Sequence, residues 1–403
     1  MPLQLRGLPF EVPKYSLTGD ILAYQTCGLQ YRYYNGSALP PSRPVQMWTG
    51  EFVHGVMEEA YRCWLPHRHP FPWPATITPW RNDPPPVPSA QELANRVSHD
   101  IGVLGDLVET KLRASGKEPR SREARRFAYE RVTAAINILG PDLFPLITTA
   151  EERISGTRPM PPVNPVGGLR PRGDRYELTG IADVISSVAV TGNAGNALVQ
   201  VVEGTLANLQ TPYDLIVDYK AGRRPAIGDA MWEHHQWQIQ TYAWLRSQLP
   251  HANRVGAGIL VYVSELAPSK TDLGHLLDDI RHQRTDVVPQ NGSADFYAMH
   301  NWNPDAGPLP QLSQAFRFRR AIRVVNVAPG DVAQAVGQID AAVAQIEQSA
   351  LAEHATGDIK QNWAKTGRER DCVACDFKHF CPMPHNRRNQ RNPGPPPVPT
   401  APG

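Results

Sequence analysis

The distribution of proline is the feature that most constrains how this chain can fold. Forty of the 403 residues are proline, about twice the usual frequency of roughly 5%. They are concentrated in residues 66–88, 159–171 and 393–402. Because proline lacks a backbone N–H and fixes φ, these stretches cannot form helix interiors or central strands. Regular structure must therefore lie between them, and residues 386–403 are predicted to be a disordered tail.

Composition limits the class of protein. Hydrophobic residues make up 41% of the chain, as in a globular protein, and the net charge of +2 excludes a histone-like polycation and an acidic tail protein. The first 20 residues contain no apolar signal segment, and the longest strongly apolar run, 255–263, is far shorter than the roughly 20 residues of a membrane span. We therefore expect a cytoplasmic protein without a membrane contact.

Apolar periodicity predicts an α/β fold. Helices are predicted over 16–33, 49–65, 92–113 and 120–139, the last ended by Gly140-Pro141. Strands are predicted over 146–154, 175–190, 198–203, 215–220 and 254–264, with a helix over 232–249 between the last two. A strand over 316–327 and a helix over 332–351 follow, and 267–310 is predicted to be an irregular insertion.

Two predicted strands carry carboxylates in unusual places. Asp218 and Lys220 stand two residues apart at the end of an apolar strand, so they share one face and could hold a divalent cation beside an ammonium group. Asp183 lies inside another apolar strand, where a carboxylate is costly unless it is paired or bound to a metal. Surface pairing of Asp218 with Lys220, and a structural salt bridge at Asp183, are the alternatives.

Two predicted helices carry polar pairs at a spacing of four residues. His54 and Glu58 share a helix face, as do Gln238 and Tyr242. A histidine beside a glutamate suits metal ligation, but each pair taken alone is equally compatible with an ordinary polar helix surface.

The four features together resemble the RecB-type branch of the PD-(D/E)XK nuclease superfamily. The family pattern is Gly-x-x-x-His on a helix, Gly-x-x-Asp on a strand, Asp/Glu-x-Lys on the next strand and Gln-x-x-x-Tyr on the following helix. The matching segments, in chain order, are 50–54, 180–183, 218–220 and 238–242. The resemblance implies a restriction-endonuclease-like core, in which a central mixed β-sheet is flanked by helices. Its implied parts are N-terminal helices at 1–65, a Pro-rich connector and helical insertion at 66–145, the nuclease core at 146–265, an irregular insertion at 266–311 and a C-terminal segment at 312–385.

The resemblance also implies a chemistry. It makes the protein a deoxyribonuclease that uses Mg²⁺ or Mn²⁺, with the implied metal ligands His54, Asp183, Asp218 and the backbone carbonyl of Tyr219. Lys220 would orient the attacking water, and Gln238 and Tyr242 would steady the site, so that the implied catalytic residues are Asp183, Asp218, Lys220, Gln238 and Tyr242. Five arginines near these motifs are expected to contact DNA phosphates: Arg170, Arg172, Arg175, Arg223 and Arg224.

The cysteines form a separate pattern. Cys372, Cys375 and Cys381 are clustered and need a fourth ligand, which spacing alone leaves open between a zinc site completed by His379 or His385 and an iron–sulfur site completed by Cys27. RecB-type nucleases with one cysteine before the His helix and Cys-x-x-Cys-x(5-6)-Cys-Pro after the core favour the second. The resemblance therefore implies a [4Fe–4S] cluster on Cys27, Cys372, Cys375 and Cys381 that joins the N- and C-terminal segments. Cys63 is expected to be a buried thiol.

The sequence leaves three functions to compare. The first is a metal-dependent DNA exonuclease acting on ends or single strands in repair, recombination or defence. The second is a non-catalytic DNA-binding or scaffold subunit of a helicase–nuclease or defence complex, and the third is a zinc-stapled nucleic-acid-binding protein. The chain contains no phosphate loop of the Gly-x-x-x-x-Gly-Lys-Ser/Thr type, so a helicase partner would be a separate chain.

Overall fold

A computed structural model describes residues 12–37, 44–77, 99–189, 193, 195–207, 209–368, 371–372, 375–378 and 381. The chain divides into two compact units, one made of 1–42, 159–176 and 340–403 and the other of 43–158 and 177–339. We call them the terminal unit and the central unit. The predicted tail at 386–403 and most of the connector at 78–98 lie outside the described residues.

The sheet of the central unit is mixed, as predicted for the fold class. Its strands are β2 (Ile147–Pro159), β3 (Arg175–Val188), β4 (Tyr213–Lys220), β5 (Val255–Tyr262) and β6 (Ile322–Asn326). β3 pairs antiparallel with β4, β4 pairs parallel with β5, β5 pairs antiparallel with β6, and β2 pairs with β3. Every residue of β4 up to Tyr219 is buried, as expected of a strand covered on both faces.

Helices cover this sheet. α3 (Pro44–His67) packs against α4 (Ile101–Ala114) and α5 (Arg122–Leu143), and their apolar faces form one core with β3, β4 and β5. α7 (Ala230–Ser247) packs on β4 and β5. Four further helices belong to the central unit: α6 (Ala197–Thr205), α8 (Lys270–Arg281), α9 (Ala294–His300) and α10 (Gln314–Ala321). The first residues of α11 (Pro329–Thr356) also belong to it.

Several predicted elements were wrong. Residues 198–203 form helix α6 because the side chain of Asn196 caps the N–H groups of Leu198 and Val199. α5 continues through Gly140-Pro141 to Leu143, whose side chain is buried. The predicted strand at 316–327 is helix α10 followed by β6, and the insertion at 267–310 contains α8 and α9, whose apolar residues form a small core around Phe316.

The terminal unit contains β1 (Lys14–Ser16), a short π-helix at Leu17–Leu22, α1 (Ala23–Thr26), α2 (Gly28–Ser37), most of α11, and α12 (Ile359–Asn362). The helix predicted over 16–33 is therefore interrupted at Cys27, which has an extended backbone. Arg32 donates to Glu353 Oε2 at 2.6 Å, and the N–H of Leu29 donates to the carbonyl of Ala364 at 2.8 Å. The N- and C-terminal segments are thus held together within this unit.

Within the described residues, no helix has both the length and the apolar content needed to cross a membrane.

Candidate active site

β3 and β4 place two carboxylates side by side. The antiparallel register pairs Val184 with Val217, so Asp183 and Asp218 are neighbours across the two strands. Both are buried, with 6% and 2% of their surface exposed. The backbone N–H of Tyr219 donates to Asp183 Oδ2 at 2.7 Å, which fixes one oxygen of that carboxylate and leaves Oδ1 directed at another group. The backbone of β4 therefore fixes the orientation of the Asp183 carboxylate.

His54 comes to the same place from helix α3. Its Nδ1 lies 3.2 Å from Asp183 Oδ1, and its side chain is 32% exposed. Burial lowers the pKa of His54, but the carboxylates of Asp183, Asp218 and Glu151 outweigh burial and raise it to about 9. Glu58, one turn further along, instead pairs with Arg62.

Glu151 is a site residue that the sequence reasoning missed. It lies in β2 with a φ of +51°, a conformation that is uncommon for a residue other than glycine and is retained where the surroundings enforce it. One ligand atom each of His54, Glu151 and Asp183 lies within 4.8 Å of the others. The available signal was a pair of adjacent carboxylates, Glu151-Glu152, inside a predicted strand.

Burial and the closeness of like charges act against the charged forms of Glu151 and Asp218. Burial and the neighbouring Asp183 raise the pKa of Glu151 to about 7. Burial likewise raises the pKa of Asp218, with Lys220 opposing it and Asp183 adding to it. Groups with such shifts in one small volume are typical of functional sites.

Lys220 is tied to both the carboxylates and helix α7. Its Nζ lies 2.5 Å from Asp218 Oδ2, so the ammonium group and this buried oxygen form an ion pair. Lys220 Nζ donates to Gln238 Oε1 at 2.7 Å, and Gln238 Nε2 donates to Tyr242 OH at 3.0 Å. The motif Gln-x-x-x-Tyr thus forms a chain that positions the ammonium group.

The glycine of the Asp183 strand has a steric role. A Cβ at Gly180 would lie 2.8 Å from the Tyr242 ring and 3.1 Å from Leu245, so glycine lets α7 approach β3 closely. Nothing lies within 4 Å of such an atom at Gly50, and the structure offers no steric reason for glycine there.

The donor set fits a hard divalent cation. Ligand atoms around Mg²⁺ or Mn²⁺ in octahedral geometry are separated by about 3 to 4 Å, which matches the spacing of His54, Glu151 and Asp183. Asp218 lies beside Asp183 across the two strands and supplies a further carboxylate. Mg²⁺ or Mn²⁺, as expected from the sequence, therefore suits these residues.

The predicted phosphate-binding arginines have different environments. Arg224 is 3% exposed, and it donates to Asp286 and to the carbonyls of Arg320 and Ile322. Arg172 donates to Glu347 Oε1 at 2.7 Å and to Tyr15 OH at 2.8 Å. Both guanidinium groups make hydrogen bonds within the protein. These contacts do not support the expected role of Arg172 and Arg224 in phosphate binding. Arg223 pairs with Asp279 at 3.0 Å, whereas Arg170 and Arg175 are exposed.

The four predicted cluster cysteines lie in the terminal unit. Cys27, Cys372, Cys375 and Cys381 all line one small cavity. Burial, followed by the neighbouring Cys27 and Cys381, raises the pKa of Cys372. In the described part of the chain, the group of His54, Glu151 and Asp183 is alone in bringing three such ligand atoms within 4.8 Å of one another, so the cysteines do not form a compact metal site. Cys63 is partly buried and packs against the core of the central unit.

Comparison with known proteins supports the nuclease assignment for part of the chain. Residues 210–382 match the model of the PD-(D/E)XK nuclease superfamily, so this segment is a domain of that superfamily and indicates a nuclease. No curated protein matches the chain. This chain is also similar to a solved structure described as the crystal structure of SSO0001. The match covers 64% of this chain and 74% of the other chain, at 15% identity and a TM-score of 0.23, and this likeness is too weak to carry an argument.

Proposed function

We propose that this protein is a metal-dependent deoxyribonuclease of the RecB-type branch, which acts as an exonuclease on DNA ends or single strands. The observation that carries the proposal is the convergence of His54, Glu151, Asp183 and Asp218 on one point beside Lys220. The first three come from a helix and two strands that are distant in sequence. This convergence is what a site built for one divalent cation requires.

The ligands of Mg²⁺ or Mn²⁺ would be His54, Glu151, Asp183, Asp218 and the carbonyl of Tyr219. Held by these residues, the cation would supply polarisation of the scissile phosphate and a lowered pKa of a bound water. Lys220 is held by Gln238 at 2.7 Å, so its ammonium group orients the attacking water and offsets the charge that develops on the phosphate. Tyr242 acts on Lys220 through Gln238 and is a positioning residue.

A second part of the proposal concerns the cysteines. All four line one cavity, and their thiolates are the soft ligands that an iron–sulfur cluster uses. A [4Fe–4S] cluster takes four cysteine ligands, and the four cysteines of this cavity would supply them. Its role would be structural, as a clip between the N- and C-terminal segments of the terminal unit.

The biological setting follows from this chemistry. A nuclease without its own phosphate loop would act with a separate helicase or another subunit in DNA repair, recombination or defence. DNA contacts outside the catalytic centre would come from exposed cations, for which Arg170 and Arg175 are candidates.

The nuclease activity is tested by Lys220→Ala, with Lys270→Ala at an exposed lysine as the matched control. Cleavage of end-labelled single- and double-stranded DNA in Mn²⁺ should fall about 100- to 1000-fold in Lys220→Ala, as when one charge-stabilising donor is lost, and should be unchanged in the control. Undiminished cleavage by Lys220→Ala contradicts the proposal. If the wild-type protein binds DNA but does not cut it, the scaffold function replaces the nuclease function.

The cluster is tested separately by anaerobic purification and analysis of bound iron, sulfide and zinc. The wild-type protein should be brown and contain iron and sulfide, because Zn²⁺ is d¹⁰ and colourless. Cys27→Ser should lose the iron, whereas Cys63→Ser should retain it. A colourless protein that contains zinc contradicts the cluster proposal.

A further inference from the structure

Helix α7 carries more of the site than its Gln-x-x-x-Tyr motif. Trp232, His235, Gln238 and Tyr242 are spaced by three, three and four residues, so they follow one face of the helix. Gln238 holds Lys220, and His235 lies one turn before it. His235 is therefore next to the catalytic lysine on the same helix face, although the nuclease motifs do not include it.

Contacts across the sheet confirm this placement. Lys220 at the end of β4 is the register partner of Tyr262 at the end of β5. The hydroxyl of Tyr262 lies 3.1 Å from His235 Nδ1. On the other side of Tyr262, the guanidinium of Arg323 lies 4.4 Å from the centre of the Trp232 ring. Lys220, Tyr262, His235 and Arg323 thus form one continuous group beside the carboxylates.

The surroundings of Tyr262 favour one tautomer of His235. Burial raises the pKa of Tyr262, and the positive charge of the nearby Arg323 opposes that rise. Because Arg323 can only donate, we expect the oxygen of Tyr262 to turn its lone pairs toward the guanidinium. The hydroxyl proton of Tyr262 is then free to be donated to His235 Nδ1. Burial, followed by the charge of Lys220, lowers the pKa of His235 to about 3, so the ring is neutral at neutral pH. A neutral imidazole that accepts at Nδ1 carries its proton on Nε2.

The Nε2–H group is available to a ligand. It makes no hydrogen bond to the described residues and is not among their buried, unsatisfied polar atoms, and the ring as a whole is partly exposed. A fixed neutral donor beside Lys220 suits an anionic oxygen, because it adds a hydrogen bond without repelling the metal ion.

We propose that His235 is a further substrate-binding residue, whose Nε2–H donates to a non-bridging oxygen of the phosphate next to the scissile one. This inference rests on the proposed nuclease function. Tyr262 and Arg323 are positioning residues that fix the tautomer of His235. The site then holds two adjacent phosphates, one through the metal ion and Lys220 and the other through His235, which fixes the register of the strand during cleavage.

Two variants separate substrate binding from a purely structural role. His235→Phe keeps a planar ring but has no donor, whereas His235→Gln places an amide N–H near the position of Nε2. Binding of a fluorescent single-stranded oligonucleotide is measured in Ca²⁺, and cleavage is measured in Mn²⁺. Because a hydrogen bond to a charged group is lost, we expect Kd and KM to rise about 10-fold in His235→Phe, with kcat changed less than threefold and partial recovery in His235→Gln.

Uncharged methylphosphonate groups, placed at one phosphate at a time, identify the partner. At the phosphate that His235 contacts, the substitution should weaken binding about 10-fold in the wild-type protein and have no further effect in His235→Phe. Equal effects in both proteins at every phosphate, or an unchanged Kd and KM in His235→Phe, overturn the inference while leaving the nuclease proposal intact. A wild-type protein that neither binds nor cuts DNA overturns both.

Discussion

Two clusters of buried charge in the central unit are organised in opposite ways. The acidic cluster consists of Glu151, Asp183 and Asp218, and the arginine cluster consists of Arg224, Arg320 and Arg323. In the acidic cluster the nearby positive groups are Lys220 and the His54 ring. In the arginine cluster each guanidinium reaches a carboxylate, and backbone carbonyls accept many of the remaining N–H groups.

The pKa shifts of the two clusters point in opposite directions. In the acidic cluster, burial raises the pKa values of Glu151 and Asp218. In the arginine cluster, burial alone would raise the pKa of Asp286, but hydrogen bonds and charge from Arg224 and Arg323 outweigh burial and hold that pKa well below its usual range. Burial itself therefore does not mark a functional site. A cluster whose carboxylates keep raised pKa values does, because a bound cation would favour their charged forms.

The largest effect is expected from Arg320→Met. Arg320 is 3% exposed, and it donates to Glu265 Oε2 at 3.0 Å and to the hydroxyl of Thr285 at 2.5 Å. Its loss leaves the carboxylate of Glu265 buried without a cation, which should lower the free energy of unfolding by about 3–5 kcal/mol. The adjacent Arg319 is exposed, so Arg319→Met should have little effect. Urea unfolding measures both, and equal small losses would show that the arginine cluster is not a structural one.

Asp218→Asn should raise the free energy of unfolding of the metal-free protein, whereas Arg320→Met lowers it. The burial of the Asp218 charge, together with repulsion from Asp183, outweighs its attraction to Lys220. The metal-free variant should therefore gain about 2 kcal/mol of stability, while DNA cleavage is lost. Asp214 on the same strand is the matched control, because its carboxylate is fully buried but accepts from Ser187, Arg246 and Asn253. Asp214→Asn should destabilise the protein in the same unfolding measurement in EDTA. A loss of stability in both variants would contradict the difference drawn between the clusters.

Glu151→Gln tests whether the acidic cluster binds the cation. With one carboxylate ligand of three weakened, the Mn²⁺ concentration for half-maximal cleavage should rise about 10-fold or more, and excess Mn²⁺ should restore part of the activity. Glu152→Gln is the control, because Glu152 accepts from Thr149 at 2.5 Å and faces Arg246 at 3.5 Å. The same Mn²⁺ requirement in both variants would remove Glu151 from the ligand set.

The contrast between the clusters also explains what the sequence could predict. The strand with Asp218 and Lys220 was predicted because a continuous apolar run ends there in a polar pair and a glycine turn. α7 and its Gln238–Tyr242 pair were predicted in the same way, from local periodicity. The grouping of His54, Asp183 and Asp218 was implied by the resemblance and not by any local pattern, because it depends on contacts between distant segments.

Local patterns failed where tertiary contacts decide the structure. The apolar run at 198–203 is too short for periodicity to distinguish strand from helix, and the capping side chain of Asn196 decides it. Arg224 and Arg323 were read as phosphate contacts or a basic strand face, but both are buried beside Asp286, a residue of the insertion that has no sequence pattern. Glu151 escaped notice because its role depends on a φ of +51°.

Asp286→Asn is expected to have the smallest effect, and it depends on pH. The pKa of Asp286 is lowered in the folded protein, so its stabilising contribution is present above the unfolded pKa of about 3.9 and is lost as pH falls toward the lowered value. Its side chain is 41% exposed, and the asparagine oxygen can still accept hydrogen bonds from Arg224 and Arg323, which limits the loss to about 1 kcal/mol near pH 7. The difference in unfolding free energy between the wild-type protein and Asp286→Asn should therefore be constant from pH 7 to about 5 and shrink below about pH 4. Other acids titrate equally in both proteins and cancel in the difference. A difference that grows as the pH falls would mean that folding disfavours the charged form of Asp286, as it does for the carboxylates of the acidic cluster.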